Sequence, residues 1–179
     1  MNAQFAPPQT ITPAAAAKLP LQAKHAPQAL PAPTVATAER YVGMVYIPDQ
    51  FDCADLTELV QREVFGRALP LPPHSARPQG SAGRRRMIGA MRQELATPVA
   101  APEVGAVVLL SQPMPGAVSA EQVLWHMGTL FNHAGRWWLL HNVQDMGGVY
   151  LQLLDNMQRM FMHIEGYYVC KPLATAANG

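Results

Sequence analysis

The sequence predicts an α+β fold, with N-terminal helices packed on a small antiparallel sheet, and three observations carry that prediction. Leu56, Leu59, Val60 and Val64 recur at the spacing of one helical face. From Gly105 onward the signal changes to short apolar runs bounded by turn residues, which suit strands. The helical segments all precede the strand segments rather than alternating with them, so the parallel-sheet α/β architectures are disfavoured.

In chain order, residues 1–38 are dominated by Pro, Ala, Gln and Thr. Such a segment cannot bury enough surface to offset its ordering entropy, so it reads as an extended arm that orders only along a partner. The folded domain is expected over residues 39–173, with a short tail over 174–179. Glu39 to Tyr46 reads as a helix end turning at Gly43, and Pro48 and Asp49 mark a loop. Asp52 is then an N-cap, Asp55 completes a D-x-x-D capping box, and Gly66 stops the helix. Residues 67–83 are rich in Pro, Gly, Ser and Arg and read as a surface loop; Arg86–Leu95 is helical, and 97–102 is a second loop. The stretch 67–101 is expected to border any cleft beside the Asp52 helix. Strands follow at 105–110, 122–131, 136–141, 149–154 and 166–170, with Asn132 to Gly135 as a hairpin loop and a helical turn near Asn156 to Arg159.

Composition narrows the function classes. At 179 residues the chain holds one domain of ordinary size plus an extension. Charged residues make up 14% and the net charge is +1, which argues against a nucleic-acid partner. The single basic run, Arg84 to Arg86 with Arg77 and Arg92 nearby, reads as a solvated helix start or a contact to an acidic partner. Met1 to Pro8 has neither a basic nor an apolar signal region, and no apolar run approaches the ~18 residues of a membrane span. Synthesis in a cytoplasm, with no signal peptide and no membrane insertion, is expected. Two cysteines without a C-x-x-C form neither a disulfide framework nor a zinc motif.

The residues with chemical potential are few. Cys53 falls in the first turn of the capped helix, where free N–H groups and the helix dipole favour a thiolate. A thiolate nucleophile needs an imidazole base and a third group to orient it. With Asn132 to Gly135 as the loop, Phe131 faces Arg136 and His126 faces His141, so the two histidines share a sheet face. A metal site of Cys53, His126 and His141 with an open position is the competing reading; it lacks short-spaced ligand pairs, so no metal and no cofactor are expected. His25, His74, His133 and His163 read as surface histidines, and Cys170 as a small apolar filler.

Gly43 to Tyr46, Phe51 to Leu56, Val104 to Leu109, His126-Met127-Gly128 and Leu140-His141 resemble, in order, the motifs of the NlpC-type papain-like peptidoglycan peptidases. The resemblance spans roughly residues 39–170, and Ile164 to Tyr168 is similar to the subgroup of phage and prophage tails. It implies Cys53 as nucleophile, His126 as general base, His141 as its orienting partner, and Tyr46 and Asp52 at the oxyanion and substrate side. The backbone N–H of Cys53 is the oxyanion donor it implies. The implied reaction is hydrolysis of an amide in the peptidoglycan stem peptide through a thioester. The implied setting is a virion, with the arm over 1–38 docked on other tail-tip or baseplate proteins. Ala54-Asp55 depart from the Ser/Trp-Gly usual after the cysteine, and Ala106 from the usual Asp. The alternative expectation is a structural tail-tip subunit that keeps the fold with a dispensable or inactive site. An acyltransferase or amidase on another substrate is a third.

Overall fold

Residues 33–78, 80–119 and 122–172 are described by the structure, a computed structural model. Three helices, α1 (Val35–Glu39), α2 (Cys53–Phe65) and α3 (Ser81–Leu95), precede most of the sheet. Its strands are β1 (Ala96–Val99), β2 (Val107–Pro113), β3 (Val123–His133), β4 (Arg136–Val143), β5 (Gly148–Leu153) and β6 (His163–Cys170). All neighbours pair antiparallel, in the order β1-β6-β2-β3-β4-β5. The fold is α+β, as the segregation of helical and strand signals predicts. No described helix is long and apolar enough to cross a membrane.

The capping prediction for α2 is met in detail. Asp52 Oδ1 accepts from the N–H groups of Ala54 (2.8 Å) and Asp55 (3.2 Å), and Asp55 Oδ2 accepts from Asp52 N–H at 2.8 Å. At the other end Gly66 adopts φ 60°, a left-handed conformation that closes the helix at little steric cost. Leu56 and Val60 then bury one face of α2 against Phe131, Leu140 and Val149 of the sheet. Ala38 and Tyr41 join that core layer, so Val35–Glu39 is a packed helix within the span expected to be arm. The remaining arm, residues 1–32, and residues 173–179 lie outside the described residues. The opposite sheet face carries a second core of Val108, Leu110, Leu130 and Leu139, closed by Leu154, Met157 and Met162 from the 3₁₀ turns after β5.

Several boundaries differ from expectation, among them the start of β6 at His163 and the end of β2 at Pro113. Helix α3 begins at Ser81 and not at Arg86, and a 3₁₀ turn occupies His74–Ala76 within the expected loop. The loop expected at 97–102 starts as β1, pairing Ala96 with Cys170 and Val99 with Tyr167. Pro98 hid this strand, and it is tolerated because β1 is the edge of the sheet. In the β3–β4 hairpin the turn is only Ala134-Gly135, both with positive φ, the tight form that matches strand twist. Phe131 therefore faces Trp138, and His133 faces Arg136. The expected direct opposition of His126 and His141 is corrected to a diagonal relation. A two-residue shift preserves the face, because side chains alternate with a period of two.

Candidate active site

Beyond Thr129↔Leu140 strands β3 and β4 lose their mutual pairing, and the candidate residues gather there. Helix α2 covers the sheet face of Thr129, Phe131 and Leu140, and its Gln61 donates to Thr129 Oγ1 at 3.3 Å. His126 and His141 belong to the alternate face, with Leu110 opposite His126 on β2. A cleft of about 290 Å³ wraps the start of β3, so the four consecutive residues Leu124 to Met127 all line it. Cys53, Asp52 and Tyr46 line it from the α2 side, and Leu71, His74, Arg77 and Arg84 from the stretch expected to border it.

The histidines form the best-defined part of the site. His126 Nε2 lies 2.8 Å from His141 Nδ1, with the rings edge-to-face. His141, fully buried, has its Nε2 2.7 Å from Gln152 Oε1. Gly128 permits this approach: a Cβ there would lie 2.5 Å from the Leu140 carbonyl oxygen and 3.0 Å from His141 Cβ. Burial pushes His126 down to about 3, helped by neighbouring His141, and pushes His141 down to about 4 against the pull of its Gln152 contact. Both imidazoles are neutral at pH 7.

Cys53 departs from expectation in its charge state. Burial, then the Asp52 carboxylate, push its thiol up to about 12, although a hydrogen bond from the Met127 backbone opposes them. Desolvation and neighbouring anions outweigh the helix N-terminus that was expected to favour a thiolate. Among the described residues no hydrogen bond joins the Cys53 thiol to an imidazole. The resting arrangement is a neutral thiol and a neutral imidazole sharing one cleft. Tyr46 donates a long 3.4 Å hydrogen bond to Gln144 Oε1, and its phenol is raised by burial, with Asp52 and Cys53 next in effect.

Around the start of α2 lies a network that the sequence reading missed. Arg77 spans both capping carboxylates, Nη1 to Asp52 Oδ2 at 2.9 Å and Nη2 to Asp55 Oδ1 at 2.6 Å. His74, expected to be a partnerless surface residue, sits 3.0 Å from Asp55 Oδ2. Burial alone would raise Asp55, but Arg77 and the Asp52 N–H hold its carboxyl below the ordinary value. Asp52, Asp55 and His74 bring possible metal-ligand atoms within 4.8 Å of one another, yet Arg77 already neutralises both carboxylates. Arg77→Ala is expected to cost about 2 kcal/mol, because it strips charged hydrogen bonds from two partly buried carboxylates. A urea midpoint unchanged from wild type would refute that role.

Cys170 is buried beside Leu69 and Val107, as a filler should be, and burial raises its thiol to about 11. His25 lies outside the described residues. Gln152 had a legible signal, since it interrupts the otherwise apolar strand Val149 to Leu154 with one polar side chain. Trp125 Nε1 and Asn142 Oδ1, both on residues lining the cleft, are buried without a hydrogen-bond partner. No family model, no curated protein and no solved structure matches this chain.

Proposed function

We propose that the chain is a papain-like, NlpC-type cysteine peptidase acting on amide bonds of peptidoglycan stem peptides. The observation that supports this reading is the cleft itself, which is lined by both the helix-start Cys53 and His126, the latter backed by His141 and Gln152. In the reaction Cys53 passes its proton to His126 and attacks the substrate carbonyl. The C–N bond breaks as the imidazolium gives that proton to the departing amine, and water then hydrolyses the thioester, freeing the carboxylic acid and the Cys53 thiol. Charge develops only during attack, which suits a site whose resting members are neutral. The ordered motifs from Gly43 to His141 favour the NlpC-type family, and the closing Ile164 to Tyr168 favours a phage tail-tip or baseplate component within the virion. Residues 1–32, which precede the packed α1 helix, would then be the segment that docks on other tail proteins.

A second reading is favoured by one observation. The thiol is raised to about 12 and hydrogen-bonded to backbone rather than to imidazole, which suits a structural tail subunit with a dispensable site. Incubating the full chain and Cys53→Ala with peptidoglycan fragments separates the two. New amine termini, seen by mass spectrometry with wild type alone, would identify nucleophile, substrate and bond together. Equal yields from both proteins would sink the peptidase reading.

A further inference from the structure

Each link of the polar chain crosses one strand boundary on the diagonal. His126 on β3 reaches His141 on β4, and His141 reaches Gln152 on β5, whose directly paired residue is Leu139. The chain is a polar track on a sheet face that also carries Leu110, Leu130 and Leu139. Such a track has a direction, because a neutral imidazole donates through one nitrogen and accepts through the other.

We infer that Gln152 is a positioning residue that sets the tautomer of both histidines and so presents His126 Nδ1 to the cleft as a bare acceptor. Gln152 Oε1 has only lone pairs to offer, so His141 Nε2 must carry the hydrogen in the 2.7 Å contact. His141 Nδ1 is then a lone pair, and the 2.8 Å contact requires His126 Nε2 to carry the hydrogen. The proton of His126 is thereby committed to the interior, and its remaining nitrogen, Nδ1, is the basic one. When a thiol gives up its proton, the S–H bond breaks and an N–H bond forms at His126 Nδ1. The resulting imidazolium keeps its Nε2–H on His141, so no proton needs to travel along the track. Reversing the track would put a hydrogen on His126 Nδ1 and leave the thiol no acceptor.

The inference rests on the thiol chemistry proposed above, but not on the identity of the substrate, and its test can be read without substrate. The full chain, labelled with ¹⁵N-histidine, is compared with Gln152→Leu and Gln152→Glu. The wild type is expected to show Nε2–H on both rings. Gln152→Leu removes the acceptor and is expected to move the hydrogen of both rings to Nδ1. Iodoacetamide then reads the chemistry, since the sulfur–carbon bond forms as iodide leaves and the thiol proton needs an acceptor. Alkylation of Cys53 at neutral pH is expected to slow on the order of 100-fold in Gln152→Leu, the scale of a misdirected general base. Gln152→Glu, which still accepts from His141, is expected to restore both the tautomers and the rate. In a His126→Ala background Gln152→Leu should add no further loss.

A hydrogen on His126 Nδ1 in the wild type, unchanged tautomers in Gln152→Leu, or an undiminished effect in the His126→Ala background would each overturn the inference. Should Gln152→Leu not fold, the wild-type and Gln152→Glu spectra decide alone, because an Nδ1–H on His126 in either rejects it. Failure of the peptidase reading looks different. Peptidoglycan would stay uncleaved while the tautomers follow Gln152; conversely, cleavage with tautomers indifferent to Gln152 would leave the reading standing and remove this inference.

Discussion

His126→Ala is expected to slow amide cleavage on the order of a thousandfold while leaving the fold in place. The Cys53 thiol is pushed up to about 12, chiefly by burial. At neutral pH its spontaneous thiolate fraction is then on the order of 10⁻⁵, far below that of a free cysteine. Reaction at a useful rate therefore requires proton removal during attack, and His126 is the neutral base in the same cleft. The same charge state gives the sign of the pH dependence. A raised thiol pKa means that direct alkylation of Cys53 in His126→Ala climbs with pH and has no plateau at neutrality. Rates of amine release and of iodoacetamide capture, followed from pH 6 to 10, check both parts. Cleavage above a tenth of the wild-type rate in His126→Ala, with Cys53→Ala inactive, would remove His126 as the base.

How much of this could be read beforehand depends on how local each cause is. The Asp52–Asp55 capping box, the left-handed stop at Gly66 and the buried run of β2 rest on neighbours in sequence, and the structure shows all three. The two histidines also come together, although through a diagonal rather than a directly opposed pair. The tighter turn slides the register by an even step, so both histidines keep the same face. The charge state of Cys53 was not legible. The helix start is a local feature that favours a thiolate, whereas burial and the position of Met127 are set by the whole fold. In the sequence Arg77 reads only as a neighbour of the basic run, since nothing local ties it to carboxylates more than twenty residues away. Strand β1 was invisible for a similar reason: its only partner is β6, at the far end of the described chain.

Acid should unfold this protein earlier than its carboxylates alone would require. His126 and His141 are depressed from 6.5 to about 3 and about 4, so the folded state holds both neutral. Between pH 6.5 and about 4 the unfolded chain binds protons that the folded chain refuses, and stability falls as pH is lowered through that window. For His141, which is fully buried, the shift corresponds to on the order of 3 kcal/mol, a large part of a typical domain's stability. His126 borders the cleft and contributes less, because water screens it. Asp55 acts only later, since a carboxyl held below its ordinary value loses its contribution as pH falls beneath that value. At the alkaline end Cys53 and Cys170, raised from 9.0 to about 12 and about 11, withdraw stability once pH climbs above 9. The expected profile is a plateau from roughly pH 6.5 to 9 with a loss on either side. Urea midpoints at half-unit steps from pH 4 to 10 would trace it. A midpoint that holds level from pH 7 down to 4.5 would show that the two imidazoles are not neutral and buried together, and the His126–His141–Gln152 track would lose its physical basis.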